Sequence, residues 1–224
     1  MSAPVAVAVM AKAPSAGTVK TRLCPPLSPV EAAELADAFL RDAWTGVRAL
    51  EGVVPAVVYA PDAARAFFEA LAPGCALFSQ RGGDLGARLA HAFDDVLALD
   101  VAGAIVIGSD APTLPRAILA QAIVEIVATD VVLGPSDDGG YYLIGLRAPR
   151  PELFADIAWS TDTVFDATLA RARAAALRTV ILPSWFDVDR PGDLDRLAAS
   201  LAEPGVRAPH TRRVLAAQGR TRRA

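Results

Sequence analysis

The chain has 224 residues, 53% of them hydrophobic, with a formal net charge of −3, which is enough apolar material for one sizeable core. No run reaches the roughly 20 apolar residues that a membrane helix needs. The apolar opening Ala3–Met10 has no positively charged stretch before it, so it reads as a buried strand and not as an export signal. Cys24 and Cys75 lie far apart and form no CxxC, a pattern of reduced thiols in a cytoplasmic protein and not of a disulfide or metal site.

Strand-like and helix-like segments alternate along the chain. Ala3–Met10, Val53–Ala60, Ala104–Gly108, Val131–Leu133, Tyr141–Leu146 and Val180–Leu182 are short β-branched or aromatic runs expected to be buried strands. Ser28-Pro29-Val30-Glu31 predicts the start of a helix reaching about Leu50: an N-cap serine, proline at the first helical position, and a glutamate spaced to close a capping box. Further helices are expected over Asp62–Leu71, Leu85–Leu99, Pro115–Ala128, Thr163–Ala176 and Pro191–Leu201. This alternation predicts one α/β domain over residues 1–203, a mostly parallel sheet with helices on both faces. The last 21 residues hold six arginines and no acid, which leaves 16 basic against 25 acidic groups in the body before them. A disordered, basic tail is expected there, with an RNA-binding arm as the alternative reading.

Ligands of such sheets sit outside the carboxyl ends of the strands. The segment leaving the first strand, Met10-Ala11-Lys12 through Gly17 to Val19-Lys20-Thr21-Arg22, presents three cations in one short loop, and Gly17 allows close backbone approach. Amides and cations together suit a di- or triphosphate. It is not a P-loop, because Val19 breaks the Gly-Lys-Thr order and the upstream glycine is missing. At the end of the Ala104–Gly108 strand, Asp110 is placed to ligate Mg²⁺, which takes one or two carboxylates plus phosphate oxygens; capping of the next turn is the plainer alternative. Gly-x-Ser-x-Gly is absent, and the two histidines, His91 and His210, are in a helix and in the tail, which argues against a Ser–His–Asp hydrolase. Asp137-Asp138-Gly139-Gly140 reads either as a hairpin turn or as a stretch contacting substrate. Asp187-Val188-Asp189 follows the last strand, whereas a haloacid-dehalogenase nucleophile follows the first; Asp189 is then a helix cap or a second metal ligand. The stretch Gln80 to Gly86, with Gly83 and Arg88, is loop-like, and its glycines could lie against a base or ribose.

Taken together, these segments resemble the radical-SAM/selenodomain-associated transferases, a group regarded as glycosyltransferases with a nucleotide-diphospho-sugar transferase (GT-A-like) fold. The likeness runs over Met10–Leu23, Gln80–Gly86, Gly108–Pro112, Leu133–Tyr142, Trp159–Thr161 and Asp187–Leu194. Lys20-Thr-Arg-Leu23 and the helix after it also resemble 2-phospho-lactate guanylyltransferase. The resemblance implies phosphate contacts by Lys12, Lys20 and Arg22, and ligation of Mg²⁺ or Mn²⁺ by Asp110 and Asp189. From the loops themselves, Ala11, Gly17, Gly83 and Arg88 are expected to bind the nucleotide, and Asp137, Asp138, Gly139 and Gly140 the acceptor. Lys20, Arg22 and Asp110 are the expected catalytic residues. The partners expected are a nucleotide donor and a small-molecule acceptor, with no nucleic acid and no membrane. Glycosyl transfer and nucleotidylyl transfer both remain open, as does a nucleotide-binding module without turnover.

Overall fold

The computed structural model describes residues 3–220. Its strands are β1 Val5–Lys12, β2 Val53–Ala60, β3 Ala76–Ser79, β4 Gly103–Gly108, β5 Val131–Pro135, β6 Tyr141–Leu146 and β7 Thr179–Ile181. The helices are α1 Pro29–Arg48, α2 Arg65–Leu71, α3 Leu85–Leu97, α4 Arg116–Ala128, α5 Val164–Ala174, α6 Asp193–Ala202 and α7 Pro209–Ala217. None of the described helices is long and apolar enough to cross a membrane.

The strands form one sheet in the order β3-β2-β1-β4-β6-β5-β7. β1 pairs in parallel with both β2 and β4, and β2 with β3, while β6 runs antiparallel to β4 and β5. β5 and β7 pair in parallel, so the mostly parallel expectation holds, with β6 as the exception. The order places β1 beside β4, so the chain leaves these two neighbours toward β2 on one side and away from it on the other. That is the switch point where a crevice opens at the carboxyl edge of a doubly wound sheet.

Period-two alternation divides β1 between two cores. Val5, Val7, Val9 and Ala11 face Leu40, Trp44 and Val47 of α1, whereas Ala6 and Ala8 face Leu89, Phe93 and Val96 of α3. The N-terminus of α1 is built as its sequence demands: the Ser28 hydroxyl accepts from the Glu31 amide at 3.2 Å and the Glu31 carboxylate accepts from the Ser28 amide at 2.7 Å. A third core lies beyond the sheet. It joins Leu23 and Leu27 of the first loop, Leu35 and Phe39 of α1, Phe186 and Val188, and the leucines of α6 with Leu215 of α7. Each large side chain buried there contributes about 1.5–3 kcal/mol.

Two expectations are corrected here. β3 was not foreseen, because Ala76–Ser79 is a short, half-buried edge strand without alternation. The basic tail is not disordered over its described part: residues 209–217 form α7, with Thr211 and Leu215 buried. Asp42, in the middle of α1 and only 4% exposed, accepts from the amides of His210 at 3.1 Å and Thr211 at 2.7 Å. A carboxylate from another helix thus caps α7, whose own N-cap, Ala208, cannot. The final four residues of the expected tail lie outside the described residues.

Candidate active site

A cavity of about 500 Å³ opens at the carboxyl ends of β1 and β4. Met10, Leu89, Val106 and Ile144 give it an apolar floor, and Lys12, Lys20, Gln80, Arg88, Asp110 and Asp189 supply polar groups around it. A few converging polar groups over apolar walls are the usual make-up of a small-molecule site.

Lys20 organises the charged end. It takes a left-handed conformation (φ 50°) at the start of the single helical turn Thr21–Leu23, whose Leu23 is buried in the third core. The turn swings the lysine inward, where its side chain is only 5% exposed. Its Nζ is 2.9 Å from Asp110 Oδ1 and 3.5 Å from Asp189 Oδ1, and donates to the Val188 carbonyl at 2.7 Å. The ring of Phe39 lies 5.9 Å away. Arg22 closes the cluster from outside: its side chain is 61% exposed, and its Nη1 is 2.8 Å from Asp189 Oδ2.

The acids are positioned by backbone, as the sequence allows. Asp110 follows β4, and its carbonyl accepts from the Val188 amide at 2.9 Å, tying the two segments together. Phe186 and Val188 are buried in the third core. Alternation in an extended segment then sends Asp187 and Asp189 to the opposite side, where both line the cavity. Asp189 does not cap α6, whose N-cap is Gly192; instead the Asp193 carboxylate accepts from the amides of Asp189 and Arg190 at 2.9 and 2.7 Å.

Asp187 is a cavity residue that the motif reading passed over as a site residue. The signal was available, since acids at i and i+2 of an extended segment share a face. Its carboxyl accepts from the Ser136 hydroxyl at 2.9 Å. Burial, followed by the nearby charge of Asp110, pushes it up to about 7, against the opposing pull of the Ser136 hydrogen bond and Lys20.

The other expected residues divide. Ala11, Lys12 and Arg88 line the cavity; Arg88 Nε donates to the Gly82 carbonyl at 3.1 Å. Gly17 (φ 78°) and Gly83 lie outside the lining. Asp137, Asp138, Gly139 and Gly140 also lie outside it, because the turn uses them. Asp137 is paired at 2.6 Å with Arg196, whose guanidinium stacks 4.1 Å from the Phe186 ring. The Asp138 carboxylate accepts from the Gly140 amide at 3.0 Å. Gly139 (φ 88°) packs so tightly on the Asp162 backbone that no Cβ fits. Among the described residues, no group of three or more His, Cys, Asp or Glu side chains is arranged to hold a metal ion.

The sheet order and the cavity at its switch point define a nucleotide-diphospho-sugar transferase-type α/β fold. A structure from Desulfovibrio desulfuricans G20, provisionally described as a nucleotide-diphospho-sugar transferase, shares 31% identity over 97% of this chain and 96% of its own, with a TM-score of 0.88. Two more distant structures share the fold at 12% identity. CMP:2-keto-3-deoxy-manno-octonic acid synthetase complexed with CTP has a TM-score of 0.55 over 89% of this chain and 98% of its own. 4-Diphosphocytidyl-2C-methyl-D-erythritol synthase has a TM-score of 0.60 over 90% and 99%. The chain belongs to the DUF2064 family, described as uncharacterized protein conserved in bacteria, whose model matches residues 44–161. No curated protein matches it.

Proposed function

We propose that this protein is a magnesium-dependent transferase with a nucleotide donor, and that it transfers a nucleotidyl group to a small acceptor with release of pyrophosphate. The observation that carries the reading is the meeting of Lys20 with Asp110 and Asp189 at one end of the cavity. Lys12 on the rim and Arg22 just outside place two more cations within reach of the same end. The resemblance to radical-SAM/selenodomain-associated transferases and to 2-phospho-lactate guanylyltransferase supports it, as does the description of the Desulfovibrio structure.

A divalent cation fits these residues. Asp110 Oδ1 and Asp189 Oδ1 converge on one point that already holds positive charge, the Lys20 ammonium. Two hard carboxylate oxygens, with the remaining positions left to water and phosphate, are what Mg²⁺ commonly takes, in place of an all-protein cage. When bound, the ion would neutralise charge on the phosphates and on the leaving pyrophosphate. The chain's own residues do the rest. Lys12, Lys20 and Arg22 hold the phosphates by charge-assisted hydrogen bonds, while the wall from Ala11 past Gln80 to Arg88 receives the nucleoside. Fixing the donor against a rigid sheet edge lets an acceptor oxygen attack the α-phosphorus in line as the bond to the bridging oxygen breaks. Catalysis is then positioning and electrostatics, with no covalent protein intermediate.

The description of the 31% identical relative favours a second reading, attack on the anomeric carbon of a nucleotide-sugar. One experiment separates the two. The protein is incubated with Mg²⁺, each nucleoside triphosphate or nucleotide-sugar, and a panel of phosphorylated and hydroxylated acceptors. Acceptor-dependent pyrophosphate release that disappears in Asp110→Asn supports nucleotidylyl transfer. A nucleoside diphosphate released from a nucleotide-sugar supports glycosyl transfer. Nucleotide affinity without turnover, unchanged by Mg²⁺ and by Asp110→Asn, leaves a binding module and refutes both.

A further inference from the structure

The composition of its loop suggests that Lys20 is a free cation waiting for phosphate. The geometry says otherwise. Its ammonium has three donors, and three acceptors already surround it: Val188 O at 2.7 Å, Asp110 Oδ1 at 2.9 Å and Asp189 Oδ1 at 3.5 Å. It is nearly buried, while the side chains of Asp110 and Asp189, which line the cavity, are 48% and 35% exposed. Lys12, by contrast, lines the same cavity, is exposed and has no ion-pair partner among the described residues. Two lysines of one loop therefore stand in different electrostatic situations: one neutralises the acids, the other faces open space.

Building on the magnesium–nucleotide reading above, we propose that Lys20 is an internal counter-ion that occupies the metal's place between Asp110 and Asp189 and thereby couples metal binding to phosphate binding. The two carboxylates cannot give their facing oxygens to an ammonium and to a divalent cation at once. A metal arriving alone must displace the lysine into solvent without a new partner. A phosphate arriving alone must draw the lysine away from carboxylates that then repel one another and the ligand. When both arrive, the lysine exchanges carboxylate for phosphate and the carboxylates exchange lysine for metal, so every charge keeps a partner. Each ligand then strengthens the other by the same factor, since such coupling is reciprocal.

Mn²⁺ titration followed by electron paramagnetic resonance tests this without turnover, using inorganic pyrophosphate as a phosphate probe independent of the base. In the unmodified protein, Mn²⁺ alone should bind weakly, and saturating pyrophosphate should tighten it about tenfold or more, within the usual span of coupling factors. Lys20→Met, and independently Lys20→Gln, should bind Mn²⁺ alone about tenfold more tightly and lose most of the coupling. Lys12→Met serves as the comparison: it removes an equal charge from the same cavity and should leave the affinity for Mn²⁺ alone within about twofold while weakening pyrophosphate. The proposal is overturned, with the metal reading intact, if both Lys20 variants bind Mn²⁺ no more tightly than the unmodified protein. It is also overturned if Lys12→Met tightens Mn²⁺ as much as they do, for then only the general field has changed. If Mn²⁺ binding is indifferent to Asp110→Asn in every background, the metal reading falls and takes this proposal with it.

Discussion

Replacing Asp42 by alanine removes the side-chain cap of α7 and leaves two amides, His210 and Thr211, without their carboxylate. Hydrogen bonds to a charged group are worth about 1.5–3 kcal/mol each, and a buried N–H left unpaired costs about 1–3 kcal/mol. The carboxylate also borders a neighbouring cavity of about 350 Å³ lined in part by Ala43, Gly46, Thr113 and Val206, so water can enter and return part of the loss. The expected destabilisation is therefore about 3 kcal/mol, less than two full charged bonds. With a urea slope of about 3 kcal/mol/M, the upper end for small proteins, the unfolding midpoint should fall by about 1 M at unchanged slope. Asp42→Asn keeps one oxygen in place and should lose about half as much. A chain ending at Glu203 should lose more than either variant, because Ala208, Thr211 and Leu215 are then missing from the third core and its surroundings. The reasoning is refuted if Asp42→Ala moves the midpoint by less than about 0.2 M, or if Asp42→Asn and Asp42→Ala coincide.

Other outcomes follow from the same geometry. Arg22→Ala should change stability by less than about 1 kcal/mol, because its partner is met at the exposed surface, yet weaken nucleoside triphosphate binding about tenfold, as isothermal titration would show. Gly139→Ala should cost about 3 kcal/mol or more, from a left-handed backbone and collision with the Asp162 backbone, read as a lowered Tm. Chelation with EDTA should abolish turnover and Mg²⁺ should restore it. The Tm without nucleotide should hardly move, because no caged metal site exists among the described residues.

Much of the fold was legible because local and global signals agree. Ser28 and Glu31 announce α1 at the residue where it starts, and β2 and β6 span the bounds that their β-branched and aromatic runs suggest. The convergence of Lys20, Arg22, Asp110 and Asp189 followed from a single rule, that ligand loops gather at the carboxyl edge. What was not legible depends on partners distant in the chain. Nothing in the arginine-rich stretch after Pro204 tells that its helix is capped by Asp42, 168 residues earlier for the His210 amide. Asp137 looks free in sequence and is held by Arg196, 59 residues on. The turn residues Asp138–Gly140 read equally well as a ligand loop, and only the approach of Asp162 shows why a glycine is needed at position 139.

The charged cluster joins residues from opposite ends of the chain: Arg22 and Asp189 are 167 positions apart. At the usual 5–20 residues per second of synthesis, the ribosome needs on the order of ten seconds or more to deliver the acid after the arginine has emerged. Through that interval a nascent chain holds the Lys20 and Arg22 loop without Asp189, and through the first part of it without Asp110 as well. A chain broken off before its last strand would therefore carry Lys20 and Arg22 without Asp189, so the charged cluster assembles only after synthesis has passed that residue.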